Sequence, residues 1–97
     1  MKNKKEQPPI VVRLWETTDL REDGRKEVRI TVSKGEDSSE SIALTTHEEL
    51  YLGVIMEWRD GYERIYTADE FLSEMDGHSQ IQRIRTWAKY AIKRYGK

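Results

Sequence analysis

The 97-residue chain has no cysteine, so no disulfide braces it and no thiolate is available as nucleophile or zinc ligand. It has only two histidines, His47 and His78, and neither lies at a spacing that ligates a metal. No glycine-rich phosphate loop and no Gly-x-Ser-x-Gly elbow is present. Glu36–Glu40 is a poor match to a calcium loop. Paired carboxylates do occur, at Glu36/Asp37, Glu48/Glu49 and Asp69/Glu70. The last two pairs open expected helices, where the dipole favours acids for structural reasons. These absences argue against an enzyme and imply neither cofactor nor metal. Long apolar runs are missing too: the longest, Leu50–Met56, is far too short for a bilayer. Met1–Gln7 is polar and basic, unlike a signal peptide. The expectation is a soluble cytoplasmic protein of one domain over residues 1–97, with 1–8 a disordered tail and no disulfide to supplement a modest core.

Charge of one sign is missing locally. Between Gly77 and Lys97 there is no acid, and six basic residues give +6. Between Glu36 and Asp76 twelve acids face only Arg59 and Arg64, a net −10. The total of −1 therefore hides two opposed blocks, which matter for partner choice more than for fold.

Local patterning predicts an α+β fold. Ile10–Trp15 is rich in Ile and Val and reads as a strand. Lys26–Ser33 alternates Val28, Ile30 and Val32 with Glu27, Arg29 and Thr31, as a half-buried antiparallel strand does. Asp23-Gly24 marks the turn between them. Ser41–Thr45 reads as a third strand with Ile42 and Leu44 inward. Thr46-x-x-Glu49 has capping-box form and opens a helix over 47–60, ended at Gly61, that buries Leu50, Val54 and Trp58. The rival reading is a hairpin of Val54–Trp58 and Tyr62–Tyr66 around Asp60-Gly61. Thr67-x-x-Glu70 caps a short helix with Phe71, Leu72 and Met75 inward. Ser79 then caps a final helix, Gln80–Tyr95, whose apolar stripe is Ile81, Ile84, Ala88, Ala91, Ile92 and Tyr95. The sum is a three-stranded antiparallel sheet packed by two or three helices, the last of them amphipathic and basic. Trp58 and Trp87 are expected in the core. Trp15 lies off the Ile10/Val12/Leu14 face, and the histidines are expected in solvated or capping roles.

Two binding surfaces follow. Glu36, Asp37, Glu40, Asp60, Glu63, Asp69 and Glu70 lie in loops and at a helix start, where carboxylates can imitate duplex phosphates. On the other side, Asp76-Gly-His-Ser79 between two helices has the form of a helix-turn-helix. Its second helix would offer Gln80, Gln82, Arg83 and Thr86 to base edges, and Arg85 and Lys89 to phosphates. The plainer alternative is a domain whose charges serve solubility and internal pairing.

The run from Glu48 to Met75 (an apolar helix, then Asp-Gly-Tyr, then acids reaching Glu70-Phe71) resembles the small DNA-mimicking anti-CRISPR proteins of phages, which inhibit type II-A Cas nucleases. The resemblance covers about residues 26–76 and needs a one-residue gap. It implies a cytoplasmic, non-catalytic binding protein whose partner is a guide-loaded Cas nuclease. It also implies that Glu36, Asp37, Asp69 and Glu70 occupy the pocket where that nuclease reads the PAM with paired arginines. Two features depart from the family: Pro8–Trp15 reads as a strand rather than a helix, and the chain adds a long basic C-terminal helix.

Overall fold

Strand alternation builds the sheet. The computed structural model describes residues 9–36, 38–59, 61 and 63–96, and the expected tail at 1–8 lies outside them. Strand β1 (Ile10–Leu20) pairs antiparallel with β2 (Lys26–Lys34), and β2 with β3 (Ser38–Ala43). Val12, Leu14, Val28, Ile30 and Val32 point to one face and are fully buried. The opposite face carries Arg13, Trp15, Arg29 and Thr31. There the Trp15 indole N–H donates to Thr31 Oγ1 at 2.8 Å, and the Arg13 guanidinium lies over the Trp15 ring at 4.4 Å. The β1–β2 turn uses Gly24 at φ 85°, and Asp23 Oδ1 accepts from the Arg25 amide at 3.0 Å. β1 runs past its expected end at Trp15 by way of an irregularity between Glu16 and Leu20, where Thr17 Oγ1 accepts from the Asp19 amide.

Helix α1 (Thr46–Ile55) is present, with corrections to its start, its end and its buried face. The cap is Thr45, not Thr46: Thr45 Oγ1 accepts from the Glu48 amide, and Glu48 Oε1 accepts from the Thr45 amide. The tandem threonines and tandem glutamates allow either register. The chosen one turns Glu48 and Glu49 inward and Leu50 and Val54 outward, the latter two at 59% and 78% exposure. Leu52 and Met56 are buried in their place, and Trp58 is buried beyond the helix end. The helix stops at Met56–Glu57, not at Gly61, with Glu57 in the left-handed region at φ 55°.

The sheet has four strands, not three, in the order β3-β2-β1-β4. The fourth, β4 (Arg64–Thr67), pairs antiparallel with β1, Val12 opposite Tyr66. Helix and strand thus divide a stretch that the sequence offers to one or the other. Thr67 ends β4 and caps α2 (Ala68–Met75) through the expected capping box with Glu70; Phe71 and Met75 are fully buried. A single 3-10 turn (Ser79–Ile81) precedes α3 (Gln82–Tyr95), so Ser79 does not cap that helix. Ile81, Ile84, Ala88 and Ala91 are fully buried, while Ile92, Tyr95 and Trp87 are only half-buried against the core. Helices α2 and α3 cover one face of the sheet, α2 over β1 and β4, α3 over β2 and β3.

Candidate functional site

The sheet register separates the expected acidic residues into two groups. Glu36 follows Gly35 in the exposed β2–β3 turn, level with the start of β1, because Ile10 pairs with Lys34. Asp69 and Glu70 open α2 at the same end, because Val11 pairs with Thr67. They are about 12 Å from the Glu36 turn across the strands, at the usual inter-strand spacing. Glu63 lies at the opposite end of β4, since Leu14 pairs with Arg64, about 14 Å from Thr67 along the strand. Asp37 and Asp60 lie outside the described residues. Two of the group are held by bases of the same chain: Glu40 accepts from Arg94 Nη2 at 2.7 Å, and Glu63 forms an ion pair with Arg13. Asp69 and Glu70 are exposed and make no ion pair among the described residues, although Glu70 Oε1 accepts the Thr67 amide at 3.0 Å.

Of the residues expected to read nucleic acid, Arg83 and Arg85 are held by the chain's own acids, Glu48 and Asp76. Arg83 donates to both Glu48 oxygens at 2.9 and 2.6 Å and to the Ala43 carbonyl at 3.0 Å. Burial alone would raise the Glu48 carboxyl, but hydrogen bonds from Arg83 and Thr45 with the Arg83 charge outweigh it and hold the carboxyl below its ordinary value. The same Glu48 bond raises the Arg83 guanidinium. Arg85 reaches Asp76 Oδ1 at 3.2 Å and approaches the Leu72 carbonyl at 3.5 Å. Gln80 bonds His47 and Gln82 bonds Thr86. Lys89 alone among Arg83, Arg85 and Lys89 has no ion pair among the described residues. With Thr86, Tyr90 and Lys93 it lines a shallow cleft of about 270 Å³ on the outer side of α3.

Two acids outside the expected set, Glu57 and Glu74, share a rim with Arg64 and Tyr66. Glu57, Glu74, Arg64 and Tyr66, with Ile55 and Met56, line a cleft of about 250 Å³ between the α1–β4 connection and α2. Tyr66 is only 8% exposed, and its hydroxyl is buried with no hydrogen-bond partner among the described residues. Burial pushes this phenol up, and the charges of Glu74 and Glu70 add to the rise against the opposing Arg64. Glu57 and Glu74 make no ion pair among the described residues. Glu74 is legible in sequence as the i+4 neighbour of Glu70; Glu57 joins the rim only because α1 stops early.

Glu49, 5% exposed, is approached by Arg21 at 3.1 Å and Arg25 at 3.5 Å. The Arg21 contact to Oε1 is ionic rather than an aligned hydrogen bond, so that oxygen has no hydrogen-bond donor among the described residues. Both histidines join α1 to the α2–α3 junction: Tyr51 hydroxyl meets His78 Nδ1 at 2.8 Å, and His47 Nε2 meets Gln80 Oε1 at 2.6 Å. Among the described residues, no three His, Cys, Asp or Glu side chains are grouped to hold a metal, and no helix is long and apolar enough to cross a membrane. No protein-family model matches this chain, nor does any curated protein or solved structure.

Proposed function

We propose that the protein acts by binding, and that its working surface is the acidic rim of α2 and the α1–β4 connection. In its sharpest form the partner is a guide-loaded type II Cas nuclease, whose basic DNA-binding groove the carboxylates occupy in place of phosphates. One observation carries this reading. Glu57, Asp69, Glu70 and Glu74 are exposed carboxylates with no ion pair among the described residues, while Arg83, Arg85 and Arg94 are held by other acids. The site is therefore centred on Asp69, Glu70, Glu74 and Glu57, with Glu36 as an outlying charge. Glu40 and Glu63 are already neutralised locally.

An electrophoretic mobility experiment tests it. The protein is added to the guide-loaded nuclease before a PAM-bearing duplex. The expected result is loss of the nuclease–DNA shift, restored by combining Asp69→Lys with Glu74→Lys. An undiminished shift at saturating wild-type protein rules out the Cas nuclease as partner. The exposed Lys89, Lys93 and Tyr90 favour a second reading, a small DNA-binding regulator. That reading requires a shift of naked duplex that fades steeply with salt and is abolished by Lys89→Glu with Lys93→Glu.

A further inference from the structure

Helices α2 and α3 form a layer of two rods of opposite charge whose outward side chains make no ion pair with each other among the described residues. Phe71 and Met75 turn one side of α2 to the core, which leaves Asp69, Glu70 and Ser73 on the opposite side, all exposed. Ile84, Ala88 and Ala91 do the same for α3, leaving Gln82, Thr86, Lys89, Tyr90 and Lys93 outward, with Tyr90 at 64% exposure. The two helices run antiparallel. α2 starts where Thr67 pairs with Val11, and α3 ends at the same edge, where the Tyr95 carbonyl accepts from Lys34 Nζ at 3.0 Å. At the other end Arg85 of α3 reaches Asp76, just beyond α2. Neither Asp69 nor Glu70, Lys89 nor Lys93, has an ion pair among the described residues.

An ordinary polyanion drawn to Lys89 and Lys93 also meets Asp69 and Glu70 on the neighbouring rod, about 10 Å away at usual helix spacing. A polycation drawn to the acids meets the lysines. A surface that satisfies both rods must carry the same two charges in reversed order. A second copy of this chain does so by symmetry. A two-fold axis lying in the layer, between the helices and parallel to them, sets each α2 antiparallel upon the other copy's α3. We infer that the chain forms a weak, salt-sensitive homodimer through this layer. Asp69 and Glu70 of each copy face Lys89 and Lys93 of the other, with Tyr90 as the apolar contact. The contact is isologous and self-complementary, as a closed two-fold dimer requires. α2 is eight residues long, about 12 Å. The area is therefore well below the roughly 800 Å² per partner of a standard interface, which sets the weakness. The inference does not rest on the nuclease reading. Because Asp69 and Glu70 belong to both, dimer and basic partner exclude one another.

Sedimentation equilibrium of the full chain tests it. At about 20 mM salt the mass should rise with concentration from 11.5 kDa toward twice that, and at about 500 mM salt it should stay at the monomer value. Two variants at exposed positions spare the capping carboxylate Glu70: Lys89→Glu with Lys93→Glu, and Asp69→Lys with Ser73→Lys. Each alone should associate at least about tenfold more weakly than wild type, because like charges now face each other. Mixed in equal amounts they should recover the dimer, since one copy is then acidic on both rods and the other sets lysines against each of them, Lys89 and Lys93 on α3 and the two introduced on α2. A wild-type chain that stays monomeric at low salt and millimolar concentration overturns the inference. So does either variant dimerising like wild type, or a mixture of two folded variants that remains monomeric. All arms are read without any nuclease, so inhibition can fail while the dimer stands, and the reverse.

Discussion

Glu48 has three roles in one side chain. It closes the α1 capping box, it holds Arg83, and through Arg83 it ties α3 to the end of β3. Glu48→Gln keeps an acceptor for the Thr45 amide but loses the charge opposite Arg83. Arg83 is half exposed, so solvent screening limits the loss to about 1 kcal/mol at neutral pH. Glu48→Ala also removes the cap and should cost about 2–3 kcal/mol in urea unfolding. The pH dependence has a definite sign. The folded carboxyl is held below its ordinary value of 4.5, so its contribution is complete above that pH and is lost as pH falls through the lower folded value. The gap between wild type and Glu48→Gln should therefore close in acid; a gap that widens there means the carboxyl is not held down. Tyr66 gives the opposite case. Its buried hydroxyl has no partner among the described residues, so Tyr66→Phe should leave stability unchanged or raise it by up to about 1 kcal/mol. A clear loss in the urea midpoint would show that the hydroxyl is bonded after all.

At the scale of elements, the end of α1 is where local preference and structure disagree. Glu57 takes the left-handed position after the helix, where glycine is the usual residue. Glu57→Gly should raise stability by about 0.5–1 kcal/mol and, if the acidic rim is the working surface, weaken partner binding at the same time. A variant that is both more stable and equally effective in the mobility assay removes Glu57 from the site. This position also shows what the sequence leaves open. Both capping boxes are visible as Thr-x-x-Glu, and the one at Thr67 stands alone and has a single register. The other falls in Thr45-Thr46-His47-Glu48-Glu49, which permits two registers one residue apart. Only packing chooses, because Arg83, Arg21 and Arg25 arrive from distant parts of the chain to hold Glu48 and Glu49. β4 is hidden for a related reason. Four residues are too few to show a period, and their pairing with β1 is a long-range choice. The strands at 10–15 and 26–33 and the stripe of α3 are legible because their alternation and helical spacing persist over several repeats. Of the candidate site, Asp69 and Glu70 are legible as exposed first-turn acids. The loss of Glu40 and Glu63 to Arg94 and Arg13 is not, since those pairs span fifty residues or more.

For the whole molecule, the two charge blocks are partly folded onto each other: Arg83, Arg85 and Arg94 of the last helix meet Glu48, Asp76 and Glu40 of the acidic stretch. The opposed blocks thus neutralise each other in part by contact. These pairs set orientation, while the stability of the arrangement comes from what lies beneath them. Ile81, Ile84, Ala88 and Ala91 are fully buried, and α3 packs over Val28, Ile30 and Val32 on the face of the sheet. Each buried isoleucine contributes about 1.5–3 kcal/mol, and the sheet residues beneath lose their cover if the helix is removed. The margin of a domain this size is about 5–15 kcal/mol. The stretch resembling the anti-CRISPR proteins ends at about residue 76, just before this helix. A chain truncated after Gly77 keeps every acid of the rim and should still fail to fold cooperatively. The expected result is loss of near-ultraviolet circular dichroism, a broad non-cooperative melt, and loss of any inhibition together with the fold. A truncated chain that melts sharply and inhibits would instead make α3 an appendage, and would place the working domain wholly within residues 1–77.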